Sequence, residues 1–352
     1  MSDETIPFLS PEERRATLAL TFISDVGSVR HRQLLETFRS AARALADAFP
    51  SAVSTDAYAM ADAAVARGTA GGLALTAIGE ANYPAQLREL YDPPSVLWSR
   101  GSLSALHGPV VAIVGTRRAT AYGLRVTRAL ASGLSRAGAC VVSGMALGID
   151  AAAHIATLED NGRTVAVLGT GADVAYPRAN AVLHSQITAQ GLVLSELPPG
   201  SHSNAGSFPR RNRIIAGLAR LTIVVEAPVK SGALITSRHA LELGRDVAAV
   251  PGPIDMPQSA GTNDLLREGA HVITCVEDAV ALLGLDRPVA PVPSFDDPAE
   301  AKIWGALGES VSSVDELCAR AALPVAHCLT ALTRLELRGI VECALTGEIR
   351  RR

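Results

Sequence analysis

The chain has 352 residues, with 32 Lys and Arg against 35 Asp and Glu, so its formal net charge is −3 at pH 7. This length predicts two or three domains, and 48% hydrophobic with 19% charged residues predicts a folded protein. The slight negative charge argues against a histone-like binder. Any nucleic-acid surface must therefore be a local basic patch.

The five cysteines are scattered, and none belongs to a CxxC pair. We therefore expect reduced thiols in a cytoplasmic protein. The first fifteen residues lack a basic region followed by an apolar run, which predicts no signal peptide. No uninterrupted apolar stretch reaches about 18 residues, so we expect no membrane-spanning segment.

Residues 10–50 show helical periodicity interrupted by a turn at Ile23–Gly27. Such a turn can hold a nucleic-acid backbone through its N–H groups, but a single glycine favours a plain helical hairpin. The alanine-rich residues 41–72 continue this helical region. We predict a helical N-terminal domain over residues 1–75, followed by a proline-punctuated connector from Tyr83 to Trp98.

From Val110 onwards, short apolar strands alternate with helices. The predicted strands are Val110–Val114, Ala139–Val142, Thr164–Leu168, Leu192–Leu194, Leu221–Val225, Val247–Val250 and His271–Ile273. The predicted helices include Tyr122–Ala137, Asp150–Leu158, Ala179–Ala189, a short one around Ile214–Leu218, and Ala233–Leu243. This alternation predicts a Rossmann-like, doubly wound parallel α/β sheet over residues 76–285.

A proline-rich linker is predicted over residues 286–298. Three helical segments follow, and then a hairpin at Ile340–Glu348, which is the winged-helix pattern over residues 299–352. The helical segments are Ala299–Leu307, Val314–Ala321 and Val325–Leu337. Such a domain can bind duplex DNA through its third helix. That helix offers only Arg334 and Arg338, which favours a dimerisation or docking module.

Ligands of parallel sheets bind outside the carboxyl ends of the strands. Five loops follow those ends, and all must open on the same edge. They are Gly115–Gly123, Ser143–Gly148, Gly169–Asp173, Glu196–Arg211 and Ala227–Gly232. Their Gly, Ser and Thr residues allow close approach of a ligand. Because the loop ending at Gly232 precedes a helix N-terminus, and arginines lie around it, we predict an anion site.

Lys230 is one of only two lysines, the other being Lys302, in a chain that otherwise uses arginine. A compact ammonium group on a flexible stem suits a crowded phosphate pocket. Chance survival of a surface lysine explains Lys230 equally well, and it is the preferred explanation for Lys302.

The signatures of common enzymes are absent from the sequence. Arg117 and Arg118 fill the place of the second glycine of a dinucleotide fingerprint, and Gly169-Thr-Gly171 is a lone GxG. No Walker sequence, HExxH motif or paired-cysteine metal site occurs. We therefore predict no catalytic residue, no cofactor and no metal site.

Two acidic features need interpretation. Asp150 and His154 are spaced to pair on one helix face, and we interpret them as structural. Glu196 and Glu226 are expected to end adjacent strands. They could act as general acid or base, but we favour a role in binding loop N–H groups and orienting the arginines.

Six motifs occur in order between residues 115 and 253, and together they are far more specific than any one alone. They are Gly115-Thr-Arg117 with Tyr122-Gly123, Ser143-Gly-Met-Ala-Leu-Gly-Ile-Asp-Ala-Ala-Ala-His154, Gly169-Thr-Gly171 with Tyr176-Pro177, Phe208-Pro-Arg-Arg-Asn-Arg-Ile-Ile-Ala-Gly217, Lys230-Ser-Gly-Ala-Leu-Ile-Thr236 and Pro251-Gly-Pro253. Over roughly residues 75–285 the chain resembles the DNA-processing protein A family (DprA, also called Smf).

The resemblance implies a Rossmann-like domain that binds single-stranded DNA. It also implies protection of incoming DNA during natural transformation, loading of the recombinase RecA, and a homodimer. The DNA-contacting arginine of the family falls on Arg117, and its other basic positions fall on Arg211 and Lys230. The expected DNA-binding set is Gly115, Thr116, Arg117, Arg118, Ser143, Gly144, Gly169, Thr170, Gly171, Phe208, Arg210, Arg211, Asn212, Arg213, Lys230, Ser231 and Gly232.

Aromatic residues make up only 4% of the chain, and the predicted edge offers only Tyr122, Tyr176 and Phe208. Binding dominated by the phosphate backbone, and tolerant of sequence, is therefore expected.

Two other hypotheses fit this kind of sheet. One is a nucleotide-phosphoribose hydrolase, supported by Glu226 but opposed by Ala227–Gly232, which lacks a Pro-Gly-Gly-x-Gly-Thr loop. The other is a winged-helix regulator with a sensory Rossmann domain, which would need a more basic third helix.

Overall fold

The computed structural model describes residues 9–204, 206–285, 295, 297–307, 313–343 and 349–351. The chain forms two compact units, Met1–Pro288 and Val289–Arg352. Most of the linker predicted over 286–298 lies outside the described residues, as do residues 344–348 of the predicted hairpin.

The first unit begins with four helices. They are α1 (Pro11–Leu20), α2 (Ser28–Phe38), α3 (Ala41–Ala48) and α4 (Ser51–Ala70). Serine side chains cap the N-termini of α1 and α3: the Ser10 hydroxyl accepts the N–H of Glu13, and the Ser40 hydroxyl accepts the N–H of Arg43. The Glu13 carboxylate also accepts the Ala41 N–H at 2.8 Å, which ties α1 to the start of α3.

A nine-stranded sheet forms the body of this unit. Two antiparallel strands lie at one edge, β1 (Ala74–Ala77) and β2 (Val96–Gly101). The short helix α5 (Ala85–Arg88) lies in the segment of chain that connects them. The other strands are β3 (Val110–Val114), β4 (Cys140–Ser143), β5 (Thr164–Leu168), β6 (Leu192–Ser195), β7 (Leu221–Val224), β8 (Asp246–Ala249) and β9 (His271–Val272). These seven run parallel, which confirms the predicted doubly wound sheet.

Seven helices connect or follow these strands. They are α6 (Ala121–Arg136), α7 (Ile149–Glu159), α8 (Ala181–Gln190), α9 (Ser207–Leu218), α10 (Ala233–Glu242), α11 (Ala260–Arg267) and α12 (Val276–Leu282). Most boundaries lie within two residues of the prediction. The start of α9 does not, because this helix begins already at Ser207. The arginine cluster therefore lies within the helix and not before it.

The strand order is β1-β2-β6-β5-β4-β3-β7-β8-β9. The chain moves outward from β3 through β4, β5 and β6, and then returns to place β7 on the other side of β3. The connection therefore reverses between β3 and β7, whose residues pair from Val111–Leu221 to Val114–Val224. Such a switch point opens a crevice at the carboxyl ends of the two strands.

Both faces of the sheet are buried. Ala112 and Val114 pack with α9 residues such as Ile214, while Val111 and Ile113 pack on the opposite face with α6 residues such as Leu130. Alternate residues of β3 thus enter two different cores. This explains why the strands are continuously apolar in sequence.

The second unit contains three helices and an antiparallel pair of strands. They are α13 (Pro298–Leu307), α14 (Val314–Ala321), α15 (Val325–Leu337), β10 (Val341–Cys343) and β11 (Ile349–Arg351). Both arginines of the α15 region are ion-paired within the unit. Arg334 lies 2.8 Å from Asp297, and Arg338 lies 2.6 Å from Glu300.

The tight join of β2 to β6 gives a first prediction. Gly101 has φ +103°, and a Cβ there would lie 2.2 Å from the carbonyl oxygen of Gly191. Gly101→Ala should therefore lower the free energy of unfolding by about 3 kcal/mol, because the new side chain would be strained by the positive φ and would also clash with the Gly191 carbonyl. The matched control is Gly72→Ala, with φ +69° and open space around it, which should lose only about 1–2 kcal/mol. Urea unfolding measures both, and equal losses would contradict the clash.

Candidate nucleic-acid interface

A cleft of about 440 Å³ opens at the switch point between β3 and β7. Four of the five predicted loops contribute to it, one of them with residues that form the start of α9, and the start of α10 contributes as well. Its lining residues are Val114, Gly115, Thr116, Arg117, Arg118, Ala146, Asp150, Phe208, Pro209, Arg211, Asn212, Ile215, Pro228, Ser231, Gly232, Ala233, Ile235 and Thr236. The structure thus brings nine of the seventeen predicted site residues into one cavity.

Three exposed cations surround the cleft. Arg117 and Arg118 line it directly, and Lys230 stands beside its lining residue Ser231. Within the described part of the chain, none of the three forms an ion pair. Their charges are therefore available to an anion.

An aromatic pair lies beside these cations. The ring centroids of Tyr176 and Phe208 are 5.3 Å apart with the planes tilted by 33°, and the guanidinium carbon of Arg117 lies 5.4 Å from the Phe208 centroid. This is the geometry of a cation–π contact. Tyr122 does not join the pair, because its hydroxyl donates to the carbonyl of Pro251 at 3.0 Å.

Arg211 is buried, in contrast to Arg117. Its Nη1 donates to the carbonyl of Gly144 at 2.8 Å and to that of Val167, and its Nε donates to Asn212 Oδ1 at 3.2 Å. Burial lowers the pKa of Arg211 to about 10, the charge of Asp150 opposes this shift, and that of Arg117 adds to it. Arg211 acts as a charged part of the wall, with most of its donors satisfied by the protein.

Glu196 engages the other two arginines of α9. Its Oε1 lies 3.1 Å from Arg210 Nη2 and 2.7 Å from Arg213 Nη2, and Arg213 also contacts Asp92 at 2.8 Å. Arg213 is only 4% exposed. Arg210, Arg211 and Gly169 line a second, smaller cavity of about 230 Å³, so Arg211 lies between the two cavities.

Glu226 supports the loop that carries Arg117. Its carboxylate accepts the N–H of Thr120 at 2.9 Å and the Thr120 hydroxyl, and its carbonyl accepts the N–H of Thr116 at 2.7 Å. Glu196 therefore binds arginines, and Glu226 binds N–H groups of the loop that carries Arg117. These are the roles that the sequence favoured over general acid or base chemistry. The expectation that Glu196 and Glu226 end adjacent strands was wrong, because β5, β4 and β3 separate β6 from β7.

The glycines of the loops mainly make room for the protein itself. A Cβ on Gly144 would lie 2.5 Å from Arg211 Nη2, and one on Gly169 would lie 2.9 Å from a ring carbon of Phe208. Gly232 is different, since nothing lies within 4 Å of its Cβ position. Gly144 and Gly169 thus provide the space that the Arg211 and Phe208 side chains occupy. Gly232 is the position where a ligand could approach the backbone closely.

Three further predicted residues are internal supports. Ser143 donates to the carbonyl of Ile113 at 2.7 Å, Thr170 donates to that of Val174 at 2.8 Å, and the Gly171 N–H binds the carbonyl of Ser201 at 2.8 Å. None of them lines either cavity.

The role of Asp150, a buried residue that lines the cleft, was not predicted from the sequence. Its Oδ2 accepts the N–H groups of Gly144 at 3.1 Å and Ala146 at 3.4 Å. Burial raises its pKa, opposed by Arg211 and these hydrogen bonds. The predicted pair with His154 was wrong, because His154 Nδ1 lies 2.7 Å from Thr164 Oγ1. The only sequence signal was the position of Asp150 in a first helical turn.

No three His, Cys, Asp or Glu side chains of the described residues gather closely enough to hold a metal ion. Among the described helices, none combines the length and the apolar character needed to cross a membrane.

Comparisons with known proteins identify the relatives of this chain. The family model for DNA recombination-mediator protein A matches residues 74–284, and that for the DprA winged helix domain matches residues 287–344. Protein Smf of Synechocystis sp. is 39% identical over 300 residues, which cover 74% of this chain and 75% of that protein.

Among the similar solved structures are two of DNA processing protein A. The X-ray structure of DNA processing protein A from Streptococcus pneumoniae has a TM-score of 0.69 and 37% identity, covering 76% of this chain and 97% of that one. A structure of DNA processing protein A from Helicobacter pylori, described for its single-stranded DNA binding mode, has a TM-score of 0.55 and 33% identity. It covers 60% of this chain and 95% of that chain.

The sheet topology and the lining of the cleft define the class of protein: a Rossmann-like α/β protein with a basic cleft at the switch point of its sheet. The winged-helix match agrees with the three helices and strand pair of the second unit. The chain belongs to the DNA recombination-mediator protein A family, also called DprA or Smf, as its six motifs indicated.

Buried histidines give a prediction about pH. Burial lowers the pKa of His154 to about 3 and that of His31 to about 4, below the unfolded value of about 6.5. Both are neutral when folded, so their stabilising effect is complete above about pH 6.5 and is lost as the pH falls towards 4. Each should add a slope of at most about 1.4 kcal/mol per pH unit.

Urea unfolding at pH 7 and pH 5 tests this effect. His154→Gln should be less stable than wild type at pH 7 but should lose less on acidification. The control His202→Gln changes an exposed histidine and should follow wild type at both pH values. Parallel losses in wild type and His154→Gln would show that His154 does not titrate on unfolding.

Proposed function

We propose that this protein binds single-stranded DNA, with the cleft between β3 and β7 holding the phosphate backbone. The observation that carries the proposal is the group of three exposed, unpaired cations around a ligand-sized cleft, in a chain whose net charge is −3. The N-terminus of α10 also opens into this cleft, and its N–H groups and dipole favour an anion.

Arg117, Arg118 and Lys230 are the proposed phosphate contacts. Arg210 and Arg213 serve to position α9, because Glu196 already engages both. Arg211 contributes charge from within the wall. The Phe208–Tyr176 pair offers a face for one base, since bases stack on aromatic side chains without regard to sequence. Ser231, Gly232 and Asn212 complete the lining.

The family supports a role in DNA processing and recombination during natural transformation. The relative from Helicobacter pylori, at 33% identity, is described by its single-stranded DNA binding mode. We propose that this protein likewise protects incoming DNA in the cytoplasm, acts as a homodimer and helps to load RecA, without catalytic turnover. The proposed domain limits are 1–75, 76–285, a linker over 286–298, and 299–352.

The two competing hypotheses have weaker structural support. A hydrolase would need Glu226 to reach its substrate, but this residue is 2% exposed and its carboxylate is engaged by Thr120. A winged-helix DNA reader would need free cations on α15, but Arg334 and Arg338 are ion-paired.

Gel shifts with single-stranded and double-stranded oligonucleotides test the proposal. Single strands of any sequence should bind more tightly than duplex, and nucleoside monophosphates should compete poorly, because the site follows a continuous backbone. Equal affinity for duplex, lost on deleting residues 299–352, would favour the winged-helix regulator. Release of base or phosphate from a nucleotide, abolished by Glu226→Ala, would favour the hydrolase.

The salt dependence of binding tests the individual cations. Each phosphate contact to a single strand contributes about 0.7 to the slope of log K against log salt. Arg117→Ala and Lys230→Ala should each weaken binding and flatten this slope by about that amount. Lys302→Ala, in the second unit, should change neither quantity.

Arg117→Lys separates geometry from charge. It keeps the charge but loses the planar guanidinium that lies over Phe208, so affinity should fall although the salt slope is nearly kept. A lower melting temperature with an unchanged slope in Arg117→Ala would show instead that Arg117 is only structural.

A further inference from the structure

A third pocket, of about 440 Å³, lies on the same sheet edge. It is lined by Thr120, Tyr122, Glu226, Pro251, Gly252, Pro253, Met256 and Ser259. The Tyr122 ring, two prolines and the Met256 side chain provide its apolar lining. No residue of this lining was part of the predicted DNA-binding set.

This pocket borders the cleft through two shared loops. Arg118 lines the cleft and Thr120 lines the pocket, while on the facing loop Pro228 lines the cleft and Glu226 the pocket. Residues two apart along a chain are at most about 7 Å apart. A strand leaving the cleft past Arg118 therefore meets this pocket next.

The Tyr122 ring is fixed and carries a cation. Its hydroxyl donates to the Pro251 carbonyl at 3.0 Å, and the guanidinium carbon of Arg125 lies 5.6 Å from its centroid. Arg125 is exposed and makes no ion pair within the residues that the structure describes. The sequence of α6, Ala121–Arg136, contains no Asp or Glu, so no acid of this helix competes for Arg125.

The pocket presents little negative charge despite Glu226. Both carboxylate oxygens of Glu226 accept hydrogen bonds from Thr120, one from its N–H and one from its hydroxyl. Glu226 is 2% exposed, and among the described residues that line the pocket no other carries a charge. An apolar, ring-lined pocket beside an unpaired arginine suits a flat heterocycle attached to a phosphate.

We propose that this pocket is a nucleobase subsite for single-stranded DNA, in which a base stacks on Tyr122 and Arg125 contacts the adjoining phosphate. This inference rests on the proposed function and extends the path of the strand from the cleft over the start of α6. The subsite accepts any base, because the lining offers an apolar ring face and no ordered set of side-chain donors aimed at a base edge.

Two oligomers of equal length and charge separate the base from the backbone. One is oligo-dT, and the other carries abasic residues throughout. Tyr122→Leu keeps an apolar side chain but removes the ring, so it should weaken oligo-dT binding about tenfold and leave binding of the abasic oligomer unchanged. Tyr122→Phe keeps the ring and should retain the preference for oligo-dT.

Arg125→Ala should weaken binding of both oligomers and flatten the salt slope by about 0.7. The matched control is Arg43→Ala, which removes an exposed arginine of α3 and should change nothing. If Tyr122→Leu does not fold, judged from its melting temperature, the slope of Arg125→Ala decides alone, since Arg125 is exposed.

The outcomes separate this inference from the proposed function. Failure of the wild-type protein to bind single strands would overturn both. Suppose instead that the wild-type protein binds single strands and that Arg117→Ala responds as expected. Equal effects of Tyr122→Leu on both oligomers, or an unchanged salt slope in Arg125→Ala, would then overturn only the subsite. In that case the pocket faces something other than DNA.

Discussion

The cleft depends on one buried guanidinium, that of Arg211. Taking such a charge out of water costs several kcal/mol unless its donors are satisfied. Here the carbonyls of Gly144 and Val167 accept from Nη1, and each belongs to a different strand or loop of the sheet edge. Asp150 binds the N–H groups of the same Gly144–Ala146 loop. The two side chains therefore hold one loop from both sides: the Asp150 carboxylate binds its N–H groups, and the Arg211 guanidinium binds the carbonyl of Gly144.

This arrangement divides the basic residues into two groups. Arg210, Arg211 and Arg213, which follow one another on α9, are used to build the wall, with Glu196 accepting two of them. Arg117, Arg118 and Lys230 come from loops and remain unpaired among the described residues. A protein with a small negative net charge can therefore present a local positive field, because Glu196 is engaged by Arg210 and Arg213, while no acid among the described residues pairs with Arg117, Arg118 or Lys230.

Periodicity predicted the sheet well, because both faces of the parallel strands are buried and the strands are continuously apolar. It missed β1, which is four residues long and half exposed, and it missed the start of α9. The first turns of that helix, from Ser207 to Arg213, contain mostly polar residues whose burial depends on partners distant in sequence. Arg213 contacts Asp92, and Arg211 contacts Val167. No local pattern shows such contacts, so the sequence identified the basic motif but not which arginines are free.

The glycines show the same limit. Their positions mark where the backbone is crowded, but only the fold shows what crowds it. Gly169 makes room for Phe208, Phe208 supports Arg117, and Tyr176 packs beside Phe208. The guanidinium of Arg117 is thereby ordered before any ligand arrives, so it loses less side-chain entropy on binding than a free arginine would. Lys230 lies exposed in a loop whose Gly232 has open space around it. One cation is thus held in place and another can adjust, which allows a phosphate to be fixed at one point while the rest of a flexible strand is accommodated.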